Sequence, residues 1–290
     1  MTSEITKLSP DIIEKIKQIN LFTKRLLRNQ MLGASRSSTK GMGFDFEALR
    51  DYAIGDDIRF VDWRASSRAS SLLVREFRQD QLKTVLLVVD ISRSLTFGTK
   101  EQKKDLVNRI AAIIGLISHY SQDLVSLILF SETVELYLPP KRTKNYINVI
   151  MKAIFSWEPK GIKTNSSILH AYLSKAALKK ALVFWFSDCI DAQFEQIIKF
   201  LPRTHDIYVM RCLNELEQTL PAIGCLTIQD LESNQYGYVT ITQAHAAWLQ
   251  KRILLQEQII KKAGVKTIDI TDTSTALQKI ISLFRTRMRV

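Results

Sequence analysis

The chain lacks residues that several kinds of chemistry require. Its three cysteines, Cys189, Cys212 and Cys225, are too few for a disulfide framework and lack the CxxC spacing of a zinc or redox pair. They read as small buried apolar residues. The four histidines, His119, His170, His205 and His245, are scattered and form no HxxxH pair. His119 and His205, near strand starts, are expected to satisfy backbone groups. No GxxxxGK[ST] phosphate loop occurs, because Gly98-Thr99-Lys100 lacks the first glycine at the required spacing. The longest apolar runs, such as IAAIIGLI at 110–117, fall far short of the roughly 20 residues that span a bilayer. The polar start, MTSEITKLSPDIIEKIKQIN, has no apolar core of the secretory kind. A soluble cytoplasmic protein is the expectation.

Apolar residues make up 46% of the 290 and charged residues 24%, a balance that allows a sizeable core. The net charge of +12 is unevenly spread. Lys141 to Lys180 holds nine Lys or Arg against the single acid Glu158, and Lys251 to Val290 holds nine against three. Such an excess attracts nucleic acid, anionic lipid or an acidic protein. Little aromatic interleaving and no nucleic-acid motif accompany it, so solvated helix faces explain most of the charge. A basic surface that binds nucleic acid or anionic membrane without metal remains the alternative function.

Three regions are expected. Residues 1–31 form an N-terminal helix, with Ile12, Ile13, Ile16, Ile19, Leu26 and Leu27 at helical spacing. Residues 32–82 form a strand and loop segment rich in Asp and Arg, with strand-like pieces at Ile58–Trp63 and Leu72–Phe77. Residues 83–290 alternate apolar strands (83–90, 123–130, 133–138, 181–188, 206–212, 265–270) with amphipathic helices (100–121, 143–156, 166–179, 192–201, 243–262, 274–287). That alternation predicts an α/β fold: a doubly wound, mainly parallel, Rossmann-like sheet covered on both faces.

The stretch VVDISRS, Val88 to Ser94, ends an apolar strand with an acid and two hydroxyls. Alone it supports a turn, a nucleophile or a ligand set. Ligands of open α/β sheets bind outside the carboxyl ends of the strands. There Asp90, Ser92 and Ser94 are expected to converge with Asp188, which closes VFWFSD, and Thr164, from the KTNSS that opens a helix. Two carboxylates and three hydroxyls are hard oxygen donors, suited to Mg²⁺ or Mn²⁺ and poor for zinc. The plain alternative is turn chemistry, with Ser94 or Thr164 as helix N-caps. A haloacid-dehalogenase-type phosphatase needs a second acid two residues after the first, where this chain has Ser92. No Cys or His nucleophile pair lies within these motifs, so the site is expected to bind and not to catalyse.

The spacing DxSxS at Asp90, Ser92 and Ser94, followed by Thr164 and Asp188, resembles the metal-ion-dependent adhesion site of von Willebrand factor A domains. The segment GFDFEALRDYAIGDDIRFVDWRASSRASSLLVREF, with VLLVVDISRSLTFG and FSDCID, is similar to bacterial domain-of-unknown-function family fifty-eight, from about residue 33 to the C-terminus. The resemblance implies direct ion contacts from Ser92, Ser94 and Thr164, and direct or water-mediated contacts from Asp90 and Asp188. It also implies a protein-interaction adapter that works with a MoxR-type AAA+ ATPase in a chaperone-like system. One departure matters: the usual Gly-Thr-Asp is Lys163-Thr164-Asn165 here. Lys163 and nearby Lys160 are expected to weaken metal binding, even to leave the site empty, or to meet an acidic partner.

In residues 43–79 the alternating Asp and Arg allow a network of ion pairs, read first as structural. Trp63 and Arg64 are its candidate partner-binding residues, since Trp and Arg are frequent interface anchors.

Overall fold

The structure is a computed structural model that describes residues 10–31, 44–69, 71–79, 83–97, 102–143, 145–175, 180–190, 193–200, 205–214, 224–229, 236–241 and 243–288. The chain forms two compact units, one of Met1–Asn29 with Lys83–Val290 and one of Gln30–Leu82.

The larger unit is built on six strands: β3 (Thr84–Asp90), β4 (Leu124–Phe130), β5 (Val134–Lys141), β6 (Leu182–Ser187), β7 (Asp206–Cys212) and β10 (Lys266–Ile270). Their order is β10-β7-β6-β3-β4-β5, all parallel except β5, which runs antiparallel beside β4. The doubly wound, mainly parallel α/β sheet is therefore present. Its helices are α1 (Pro10–Met31), α3 (Lys103–Tyr120), α4 (Tyr146–Ser156), α5 (Ser167–Lys175), α6 (Phe194–Phe200), α7 (Gln243–Lys262) and α8 (Thr273–Met288). A hairpin of β8 (Gly224–Gln229) and β9 (Tyr236–Ile241), absent from the sequence reading, lies between β7 and α7.

Strand β3 is apolar throughout because both its faces are covered. Val85, Leu87 and Val89 join one buried cluster with Ile110 and Ile114 of α3, Ile150 of α4, Ile280 of α8 and Ile19 of α1. Leu86 and Val88 join the opposite cluster with Leu169 of α5, Ile198 of α6 and Ile260 of α7. Fully burying each such side chain contributes about 1.5–3 kcal/mol against exposure. Asp90 keeps the parity of Leu86 and Val88 and emerges at the strand's end on the α5 side.

The chain order creates the crevice. From β3 the chain winds outward through β4 and β5, then returns to β6 on the other side of β3 and continues through β7 and β10. Successive connections leave β3 and β6 in opposite directions, which makes their carboxyl ends the topological switch point, where ligands of open sheets bind.

The smaller unit pairs β1 (Phe44–Asp51) with β2 (Leu73–Gln79), antiparallel, with a bulge between Phe46 and Ala48. The strand expected at Ile58–Trp63 is not one. Ile58–Phe60 is a 3₁₀ turn whose Asp57 side chain accepts from Arg59 N–H, and α2 (Trp63–Ser66) is capped by Asp62, which accepts from the N–H groups of Arg64 and Ala65. Two acids at helix starts outweighed the β-branched pattern between them. Arg50 holds Asp56 by two bonds of 2.6 and 2.7 Å, and Arg75 reaches Asp62 at 2.9 Å. The bidentate Arg50 pair, with the Ala53 N–H, holds Asp56 at a pKa of about 2.

Candidate metal centre at the switch point

Asp90 ends β3 and Ser187 ends β6, so neighbouring parallel strands deliver both to one place. Asp90 is 1% exposed. Its Oδ1 accepts the Ser92 N–H at 2.9 Å, and its Oδ2 accepts the hydroxyls of Ser187 at 3.1 Å and Thr164 at 3.4 Å. Ser92 Oγ lies 3.0 Å from Ser94 Oγ. Ser92 occupies the N-cap position of the 3₁₀ turn Arg93–Thr96, yet its side chain makes no capping bond. Capping therefore does not account for its hydroxyl. Nor is Thr164 the cap of α5, since Asn165 Oδ1 takes the Ser167 N–H at 3.1 Å and its hydroxyl at 2.5 Å. The neutral Asn165 serves the backbone here.

Asp188, directly after β6, is 3% exposed. Its Oδ1 accepts from Ile190 N–H at 3.2 Å, while its Oδ2 is buried with no hydrogen-bond partner. Burial, and after it the charge of Asp188, pushes Asp90 up to about 7. Two buried acids side by side with an unpartnered oxygen form an arrangement that a cation relieves. Among the described residues no three His, Cys, Asp or Glu side chains gather in one place, so any ion would rely on hydroxyl oxygens beside the two acids. That donor chemistry fits Mg²⁺ or Mn²⁺.

Sequence reasoning missed the supports of the Thr164 loop. Glu135 on β5 accepts from the backbone N–H groups of Lys160 (3.0 Å) and Gly161 (3.1 Å), from Trp157 Nε1 (2.9 Å) and from Ser131 Oγ (2.5 Å). Burial raises its pKa, but these donors outweigh burial and hold it below the usual range. Glu132 Oε1 accepts the Lys163 N–H at 3.0 Å, and Ser131 O accepts the Asn165 N–H at 3.0 Å. Gly161 passes so close to the β4–β5 turn that a Cβ there would sit 2.2 Å from Ser131 Oγ. No motif marks these acids, because they lie 25 to 31 residues before the backbone they hold.

Lys160 and Lys163 are exposed. Glu132 is held low first by the Lys163 and Ile162 N–H groups and also by the Lys163 ammonium, so part of that positive charge is spent on Glu132. Trp63 is 63% exposed on α2 and Arg64 is exposed beside it, in the smaller unit. His205 acts as expected: its Nδ1 accepts the Ala181 N–H at 3.2 Å just before β6. Cys189 and Cys212 are buried free thiols, and the Cys225 side chain lies outside the described residues.

The family model described as "Protein of unknown function DUF58" matches residues 48–253. This chain belongs to that family. Within DUF58, Asp90, Ser92, Ser94, Thr164 and Asp188 all fall inside the matched span, as do Trp63 and Arg64. Uncharacterized proteins of Mycobacterium bovis and Mycobacterium tuberculosis are each 22% identical over 228 residues, covering 77% of this chain and 72% of theirs. Among solved structures, BatB of Bacteroides thetaiotaomicron is 14% identical with a TM-score of 0.48, covering 71% of this chain and 98% of BatB. Proximal thread matrix protein 1 of the mussel byssus, solved with a zinc-occupied MIDAS motif, is 13% identical with a TM-score of 0.37, covering 62% and 48%. Neither likeness bears on the DUF58 site, which stands on its own side chains. No helix among the described residues is long and apolar enough to cross a membrane.

Proposed function

We propose that this DUF58 chain is a protein-interaction adapter that holds Mg²⁺ or Mn²⁺ through Asp90, Ser92, Ser94, Thr164 and Asp188. The observation that supports it most is the buried pair Asp90 and Asp188, with Asp188 Oδ2 unpartnered and the Ser92 and Ser94 hydroxyls unspent on capping. An ion there supplies a positive charge with an open position for a carboxylate of the partner. The chain's own residues keep two acids close, bring the Thr164 hydroxyl to Asp90 and set the Ser92 and Ser94 hydroxyls against each other just after it. Asp90 has no second acid at residue 92 to protonate a leaving group, so the site binds and does not turn over. The partner in this proposal is a MoxR-type AAA+ ATPase, which the family resemblance suggests, and a nucleotide-driven partner would set the work in the cytoplasm.

Calorimetric titration with MgCl₂ and affinity purification from the native cell test this. Wild-type protein takes up one Mg²⁺ and retains an AAA+ ATPase when Mg²⁺ is present. The Ser92→Ala/Ser94→Ala variant loses at least tenfold in Mg²⁺ affinity and releases the ATPase. Equal retention by both proteins, together with no Mg²⁺ uptake by wild type, overturns the reading.

A further inference from the structure

Asp188 is aimed by the backbone that follows it. Cys189 has a φ of 60°, the left-handed region that residues with a Cβ seldom occupy, and it is 3% exposed. Three contacts fix it there. Its N–H donates to Ser187 Oγ at 3.1 Å and its thiol to Ser187 O at 3.8 Å. Its carbonyl accepts from Gln256 Nε2 at 2.9 Å. The first two are local, whereas the third comes from 67 residues away on α7.

Helix α7 is itself tied to the sheet. Arg211 of β7, level with Ser187 in the strand pairing and 1% exposed, donates Nη1 to the Ile253 carbonyl at 2.9 Å. Its Nε and Nη2 grip Asp269 at 2.8 and 2.9 Å. Ile253 and Gln256 are three residues apart, so the anchored carbonyl and the donating amide share one helix face. Gln256 donates without adding charge beside two acids.

We infer that Gln256 is a positioning residue for the candidate metal site: by holding the Cys189 carbonyl it keeps that residue left-handed and so keeps Asp188 buried beside Asp90. The inference rests on the proposed ion site. Without the Gln256 donor, Cys189 relaxes toward negative φ, and the peptide that carries Asp188 turns with it.

Mg²⁺ titration and amide hydrogen exchange in EDTA test this on Gln256→Leu and on the near-isosteric Gln256→Glu, which sets an acceptor against the carbonyl. Both variants are expected to bind Mg²⁺ about tenfold more weakly or worse, and to exchange the Cys189 and Ile190 amides faster in EDTA. Adding Cys189→Gly, which adopts the left-handed conformation without steric cost, recovers most of the lost affinity in Gln256→Leu. A structural role alone would lower the unfolding midpoint and leave the Mg²⁺ affinity unchanged. That outcome, with wild type binding Mg²⁺, overturns the inference and spares the ion site. If wild type takes no Mg²⁺, the ion site falls and the inference with it, while the exchange rates report whether the clamp exists. Unchanged exchange rates overturn the clamp itself.

Discussion

Burial and the neighbouring Asp188 both oppose ionisation of Asp90, whose pKa stands at about 7 in the fold against 3.8 for the free side chain. Between those values the folded chain holds a proton that the unfolded chain has released. Stability tied to this group is therefore full below pH 3.8 and is lost as pH rises through about 7. Asp90→Asn removes the dependence. In EDTA, the stability difference between Asp90→Asn and wild type, read by urea unfolding, grows in favour of the variant from pH 4 to pH 8. Parallel profiles for the two proteins would show that Asp90 is not strained by charge. At the proposed ion site we expect Mg²⁺ affinity to run the other way in calorimetric titration, weakening about tenfold per pH unit below 7, since binding would displace the proton.

At the scale of elements, the loop 157–165 is held by the β4–β5 corner and not by its own sequence. Glu135→Ala takes the acceptor from two backbone N–H groups, the Trp157 indole and the Ser131 hydroxyl. We expect a loss of about 1–3 kcal/mol in urea unfolding, with a fall in Mg²⁺ affinity because Thr164 is carried by that loop. Undiminished affinity would mean that Thr164 needs no such support. The main sheet was legible because KTVLLVVD, DLVSLILF and ALVFWFSD are runs that only strands buried on both faces require. The site acids were legible because they end two of those runs. Glu132, Glu135 and Gln256 were not, because a side chain that serves a distant backbone group leaves no local spacing. The β8–β9 hairpin escaped for another reason: six residues separate GCLTIQ from YGYVTI, more than the two-residue turn that marks a hairpin in a sequence. Ile58–Trp63 misled because Asp57 precedes its apolar residues and Asp62 interrupts them, and each acid starts a helical turn.

Across the whole molecule, the charge of +12 sets a background attraction for polyanions that competes with any specific partner. That background has a separate signature. Retention of a labelled oligonucleotide at ~50 mM salt disappears by ~200 mM and is the same in EDTA, in Mg²⁺ and in Ser92→Ala/Ser94→Ala, as fluorescence anisotropy would show. No oligonucleotide shift even at the lower salt would remove the basic-surface function.

The sheet's β5 edge bears on how a partner arrives. Pro139 and Pro140 stand in succession in that strand. The β4–β5 register shifts at this point, between Val125 and Leu127 of β4, and neither proline has an N–H, so the strand offers no backbone donor at either position. A foreign strand laid against β5 meets a gap in its hydrogen-bonding partners there, which discourages both edge-to-edge aggregation and recognition by strand addition. Contact made through side chains at the carboxyl ends of β3 and β6 does not depend on that edge.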